Sequence, residues 1–600
     1  MFPPLSDYAL LGDSETAFLV TRDGSLDWAC LPRFDSPATF AALLDRERGG
    51  CFRVAPTSGR AASTHRYLPG TAVVETLHQD GAGVLRVVDA AVPGGAALVR
   101  ACEALAGEVE LEVAFRPTSD YGCERASVES AGGMLVAQAN GLELRLASTT
   151  EVTEPEATLT LRAGDHAAFV LGWGDELPRP GDAQALVDEV ADRWRRWLGG
   201  VVYDGPYREA VERSSITLKL LAHAGTGGIV AAPTTSLPER VGGESNWDYR
   251  YTWLRDAALV LYGWYATGQR QEGDALLDWI CARVESSAAE EGLRIMYDLD
   301  GRRDLEERVL DHLAGYRDSR PVRVGNAACF QEQLDIYGSV LDCFTTAASW
   351  GREEKLELWE HNRPLAEWIC AHWTDEDHGP WELRGRPASY VYSDVMAWTA
   401  LDRASRVAAE KGLEANVERW RATMAAIREC VLTRGWSERL GAFCQSLDDE
   451  RLDAANLLLP LVGFLSADDP RAVSNLDRIQ AELAVDGLVY RFLPRGEEPA
   501  EGAFTVCTFW LVDALVHAGR VEEATALFEG MLARATPLGL FAEEIEPGTG
   551  LHLGNFPQAF THAALLTAAV NLARATDPSL VAASLDAPPG TAHLVPLAHT

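Results

Sequence analysis

Three short segments of this 600-residue chain gather side chains able to do acid–base chemistry on a polyhydroxylated substrate. The first reads Asn246-Trp247-Asp248-Tyr249-Arg250-Tyr251-Thr252-Trp253-Leu254-Arg255-Asp256. Guanidinium N–H groups donate and carboxylates accept, so this run can grip sugar hydroxyls while indole faces pack on a pyranose ring. An Arg–Asp pair capping a helix that starts near Leu254 accounts for the same residues without any ligand. The second segment is Trp381-Glu382-Leu383-Arg384-Gly385. A carboxyl beside Trp in a pocket is desolvated toward its neutral form, which suits a general acid; an exposed loop Glu is the plainer alternative. The third is Phe541-Ala542-Glu543-Glu544-Ile545-Glu546-Pro547, three carboxylates in four residues. One of them can act as a base while the others bond hydroxyls or cap a helix.

The elements around these segments are of two kinds. Residues 1–185 carry short apolar or alternating runs such as TAVVETLH, VELEVAFRP and LELRLAS, broken by Gly, Pro, Asp and Asn, which predict a β-sandwich. The stretch DAQALVDEVADRWRRWLGG switches to helical periodicity and reads as a linker helix over 186–206. From 207 to 576 the pattern predicts twelve helices, near 207–225, 254–267, 270–287, 328–349, 352–373, 391–410, 414–432, 452–465, 471–484, 502–518, 521–535 and 558–575. Their connections alternate between short and long, and antiparallel neighbours place every second connection at the same end. Six hairpins with elaborate loops at one end predict an (α/α)6 helical barrel whose mouth is the site. No fixed-period repeat supports an α-solenoid instead. Residues 577–600 lose the helical pattern, gain Pro and read as a loosely packed tail.

Composition narrows the partners. Asp plus Glu at 89 against Lys plus Arg at 53 leaves a net charge of −36, which argues against a nucleic acid or an anionic membrane. Thirteen of the 17 Trp lie after residue 200, a hint of carbohydrate stacking. Eleven scattered Cys without a C-x-x-C pair, no evident signal peptide and no long apolar run point to reduced thiols in a cytoplasmic protein. No H-E-x-x-H, zinc-type Cys/His cluster or P-loop is present, so neither a metal nor an organic cofactor is expected. A homo-oligomer is compatible with all of this. Asp248, Arg250, Arg320, Arg323, Gln331, Arg384, Gln558 and His562, on or beside the long loops, read first as groups that support the fold.

Taken together, Tyr251-Thr252-Trp253-Leu254-Arg255-Asp256, Trp381-Glu382 and Ala542-Glu543-Glu544 resemble, in that order, glycoside hydrolase family 15, the inverting exo-acting glucoamylases and trehalases. The resemblance extends to Asp7–Asp13, Arg22–Trp28, Pro32–Pro37, Pro321–Ala328 and Gly554–Phe560, and so covers nearly the whole chain. It implies the same sandwich-plus-barrel architecture. It makes Glu382 the general acid and Glu543 the general base, the choice of Glu543 over Glu544 resting on motif register. Arg255 and Asp256 would hold the non-reducing-end glucose, and Trp247, Trp253, Trp381, Glu544 and Arg384 would complete the substrate-binding set. Inversion implies carboxyl groups roughly 6.5–9.5 Å apart, leaving room for the attacking water. The expected function is release of glucose from a small α-glucoside, with trehalose favoured. Glucoamylase-type action on maltooligosaccharides or isomaltose-like linkages is the alternative, ahead of a disaccharide phosphorylase and of a non-catalytic sugar-binding protein.

Overall fold

The computed structural model describes residues 2–59, 61–287, 292–350, 359–494 and 500–577. The alternating runs of the N-terminal part form two antiparallel sheets. One has seven strands, in the order Tyr8–Gly12, Ala17–Thr21, Ser25–Cys30, Cys51–Pro56, Glu108–Arg116 and Glu156–Arg162, with Ala38–Phe40 beside Ser25–Cys30. The other has eight, in the order Val128–Ala131, Met134–Ala139, Leu142–Ser148, His166–Gly172, Ala97–Ala106, Gly83–Val92, Val74–Asp80 and Ala62–Tyr67. In Glu108–Arg116 the side chains of Val109, Leu111 and Val113 are buried while Glu108 and Glu110 are exposed, the period of a half-buried strand. The two sheets pack face to face, and Arg100 pins one to the other. Its guanidinium pairs with Asp89 at 2.8 Å and donates to the carbonyls of Phe52 and Gly24, across the sandwich, at 2.9 and 3.0 Å. A fully buried ion pair survives the loss of water only when its donors are used in this way. Asp23-Gly24 makes the tight turn between Ala17–Thr21 and Ser25–Cys30, with Gly24 at φ +84°.

The helix Ala183–Leu198 leads out of the sandwich. Beyond it, helices alternate between an inner and an outer layer. The inner ring runs Leu254–Ala266, Asp335–Ser349, Val391–Lys411, the short pair Ala454–Leu457 and Leu458–Leu461, Thr505–His517 and Ala559–Thr576, and the last packs back on the first. Outside lie Arg208–Leu221, Arg270–Ser286, Trp359–His372, Val417–Thr433, Pro470–Leu483 and Val521–Leu532. Composition sorts the layers. Thr505–His517 is buried from Thr505 through Leu515, whereas Pro470–Leu483 buries Ala472, Leu476, Ile479 and Leu483 along one stripe. Chain passing from inner to outer helices turns tightly, as at Thr267–Gln269; chain passing from outer to inner helices makes long excursions, all at the same end.

Two helices depart from expectation. The one predicted over 328–349 begins only at Asp335, after a 3-10 turn over Ala327–Phe330, because Gln331 is extended and its side chain is used elsewhere. The one predicted over 452–465 is broken into a 3-10 turn over Ala454–Leu457 and a short helix Leu458–Leu461, because Pro460 has no N–H to bond back to Asn456, and a left-handed Gly463 (φ +83°) follows its end. Residues 352–358 of the predicted 352–373 helix, and the tail after Asp577, lie outside the described residues. The sandwich sits against the barrel through Trp28, whose indole N–H donates to the Pro233 carbonyl at 2.7 Å. Arg250 adds a second attachment. It is buried, paired with Asp248 at 2.6 Å, and donates to the Ser36 carbonyl at 2.9 Å.

Candidate active site

All three chemistry-bearing segments lie on outer-to-inner excursions and meet at one mouth. The first approaches the helix Leu254–Ala266 as extended chain, so its residues alternate. Asn246, Asp248, Arg250 and Thr252 are buried on one side, where Asp248 and Arg250 brace the fold. Tyr249 and Trp253 share the other side, and their rings touch edge to face at 5.3 Å. Each serves a different carboxylate. The Trp253 indole N–H donates to Glu382 Oε1 at 2.6 Å, and the Tyr249 hydroxyl donates to Glu543 Oε1 at 2.5 Å.

Glu382 lies at φ +55°, in the left-handed region that few non-glycine residues occupy. Such strain persists only where the surroundings impose it, and here they do. Trp381 is buried, with its indole N–H 2.9 Å from both carboxylate oxygens of Asp453 and its ring against Phe504 and Trp510. Arg255 Nη1 donates to the Pro380 carbonyl at 2.6 Å, and Gln331 Nε2 donates to the carbonyl of Glu382 itself at 3.2 Å. Arg255 Nη2 also reaches Glu382 Oε1 at 3.3 Å. Both donors to the carboxyl therefore fall on Oε1.

Arg255 and Asp256 occupy the first turn of Leu254–Ala266 and pair at 3.3 Å. Burial works against the Arg255 charge, but Asp256, Glu382 and Asp335 overcome it and raise its pKa. Burial pushes the Asp256 carboxyl up to about 6, with Arg255 pulling it down and Glu382 pushing it further up. On the barrel side of Arg255 lies a cavity of about 70 Å³ that Tyr392, Trp510 and Phe560 help to line.

Glu543 is 1% exposed and precedes the two-residue strand Glu544–Ile545. Burial raises its carboxyl to about 7, with the Tyr249 hydroxyl and Arg491 acting in the opposite direction. Among the described residues its Oε2 is buried without a hydrogen-bond partner. Gly554, at φ +71°, passes so close that a Cβ there would lie 2.4 Å from Glu543 Oε2.

The next residue, Glu544, keeps different company. It is buried in a cluster with Glu239 and Glu501, whose carboxylate oxygens all lie within 4.8 Å of one another. Carboxylates so placed can hold a divalent cation, but the Arg491 guanidinium already bonds Glu239 (2.8 Å) and Glu501. Burial raises Glu544 and Glu239 well above the usual carboxylate range, and Arg491 is the cation that offsets it. Trp247 lies beneath two guanidinium groups, those of Arg384 at 3.9 Å and Arg323 at 4.5 Å. Arg384 is itself paired with Glu307.

Sequence reasoning did not single out Tyr249, Glu307, Asp453 or the Glu239–Glu501–Arg491 cluster. The signal for Tyr249 was present: period two from Trp253 places it, and Trp247 beyond it, on one face. Glu239, Glu501 and Arg491 had no such signal, being brought to Glu544 by packing alone.

Residues 205–570 match Glycosyl hydrolases family 15, and residues 2–157 match the domain described as Trehalase-like, N-terminal. The chain belongs to glycosyl hydrolases family 15 and is a glycosidase. It is 40% identical to a trehalase of Mycolicibacterium smegmatis, over 96% of this chain and 92% of that one. It is 32% identical to a trehalase of Thermoplasma volcanium, over 96% and 94% respectively. In fold it is similar to a bacterial glucoamylase solved with acarbose (TM-score 0.71, 15% identity, 98% of this chain and 97% of that one).

Proposed function

We propose that the protein hydrolyses α,α-trehalose to two molecules of glucose with inversion at the attacked carbon. The observation that carries this reading is the linked arrangement Glu382–Trp253–Tyr249–Glu543, one carboxyl group on each of two touching rings. Glu382 Oε2 gives its proton to the oxygen joining the two sugars as the bond from that oxygen to C1 breaks. Water attacks C1 from the opposite face and passes a proton to Glu543, so one water is consumed and the two carboxyl groups exchange their protonation states. The buried Oε2 of Glu543, without a hydrogen-bond partner among the described residues, is the acceptor suited to that water. Arg255 and Asp256 hold the first glucose by its outer hydroxyls, and Trp253 lies against the same ring. Identity to trehalases along nearly the whole chain favours trehalose over longer α-glucans.

A cytoplasmic location accompanies this reading. All eleven cysteines are free, as in a reducing compartment, and among the described residues no helix is long and apolar enough to cross a membrane. The test is to follow glucose release from trehalose, maltotriose and isomaltose side by side, recording the anomers of the first products by NMR. Trehalose should be the preferred substrate, yielding one β-glucose from the attacked ring for each α-glucose from the leaving ring. Two α-anomers, or preference for maltotriose, would overturn the reading.

A further inference from the structure

The segment between the helices Arg270–Ser286 and Asp335–Ser349 is the longest excursion at the mouth, and its residue Glu307 joins parts of the site that are far apart in sequence. Glu307 Oε1 accepts from Arg384 Nη1 at 3.1 Å, and its Oε2 accepts from Arg384 Nη2. Arg323 Nε lies 3.1 Å from the same carboxylate, and the Ala327 backbone N–H donates to it at 3.3 Å. Burial tends to raise the Glu307 carboxyl, but the hydrogen bond and charge of Arg384 overcome it and hold it below its ordinary value. Glu307 and Arg323 are 14% and 12% exposed, whereas Arg384 is 38% exposed, so the network is braced within and presents a guanidinium outward. The Trp247 ring packs against that guanidinium and fixes its plane.

An acid that protonates the bridging oxygen must stand beside both rings, so a donor next to the acid on the side away from the barrel is placed to reach the ring being expelled. Arg384 follows Glu382 by two residues on the acid loop, while Trp381 and Arg255 hold the loop's other side to the barrel. A planar, five-donor group held in one orientation suits a ring that offers several hydroxyl acceptors.

We propose that Arg384, oriented by Glu307, Arg323 and Trp247, is the specificity determinant for the second sugar, donating hydrogen bonds to the hydroxyls of the departing hexose. This rests on the hydrolase reading above and adds to it the residues that select the leaving group; Glu307 and Arg323 are positioning residues that act through Arg384. The same segment is tied to the sandwich, by Arg33 to Asp300 at 3.1 Å, Arg308 to Asp120 at 3.3 Å, and the Ala314 backbone N–H to Asp45 at 3.0 Å. The sandwich thereby sets where the second-sugar wall stands.

The test compares two substrates on the full-length protein: α,α-trehalose, which has a second ring, and α-D-glucosyl fluoride, which has none. Arg384→Leu should lower the ratio of kcat/KM for trehalose to that for the fluoride by ~10-fold or more, the effect of losing charged hydrogen bonds. Glu307→Gln should lower the same ratio less, and the double variant should fall no further than Arg384→Leu, since both act through one group. An unchanged ratio, or equal losses on both substrates, would overturn the proposal and leave the network a brace for the acid loop. Should Glu307→Gln fail to fold, Arg384→Leu, at a half-exposed side chain, decides the question alone. A wild-type protein that hydrolyses neither substrate would instead sink the hydrolase reading itself.

Discussion

The indole of Trp253 meets the phenol of Tyr249 at 5.3 Å, and through that contact the donor to Glu382 touches the donor to Glu543. Neither carboxyl group can shift without disturbing the other's partner. The two aromatic rings that hold these carboxyl groups are only four positions apart, on one extended face.

Replacing either carboxyl group by its amide tests the assignment directly. Glu382→Gln and Glu543→Gln should each lower kcat for glucose release by ~10²–10⁴-fold, the usual worth of positioned acid–base help. The double variant should fall well short of the product of the two, because the groups act as a unit. Near- and far-UV circular dichroism should match wild type.

Tyr249→Phe removes the hydroxyl that favours the ionised form of Glu543. With that bond intact, burial places the Glu543 carboxyl at about 7. A base works only when ionised, so kcat/KM should climb with pH through that region. In Tyr249→Phe the acidic limb should move to higher pH, and kcat at neutral pH should drop ~10-fold. A limb that stayed in place would mean that the phenol only fills space.

Gly554→Ala addresses the same carboxylate from the other side. A methyl group there would stand 2.4 Å from Glu543 Oε2, at a backbone φ of +71°. The base must move aside, and kcat should fall by ~10²-fold while trehalose binding, followed calorimetrically, changes little.

Stability should respond to pH in an unusual direction. Burial raises the carboxyl groups of Asp377 to about 7, Asp394 to about 8 and Asp513 to about 7. Each therefore holds a proton in the folded chain at a pH where the unfolded chain has lost it. The stability they contribute is complete below the ordinary carboxylate range, near pH 4, and is lost as pH rises through about 7–8. Differential scanning calorimetry should show Tm falling from pH 5 to pH 8. Asp513→Asn, whose amide oxygen can still accept from Asn571 while its NH2 group faces the Thr567 hydroxyl, should flatten that slope.

Much of the architecture was legible because alternation and helical period are strong signals over long stretches, and because link lengths alternate around a ring. The helix over 452–465 was misjudged because an apolar run hides the effect of Pro460 and Gly463. The segments Trp247–Asp256, Trp381–Glu382 and Glu543–Glu544 stood out through their residue types. Which way each side chain points did not. Trp381 is an anchor on Asp453, and Glu544 is enclosed with Arg491's carboxylates, although both read equally well as pocket lining. Period two could have paired Tyr249 with Trp253. Nothing local could have foretold that Glu307, 77 positions away, would clasp Arg384.

The seat of the sandwich on the barrel bears on how the protein can be handled. Arg250 and Asp248 form an ion pair roofed by the backbone at Ser36, and the Pro233 carbonyl is stoppered by Trp28. An excised barrel would open both to solvent directly beside the extended segment that carries Tyr249 and Trp253. Shortening the gene to its hydrolytic half should therefore yield insoluble or inert material, and any recombination with relatives should exchange the two modules as one block.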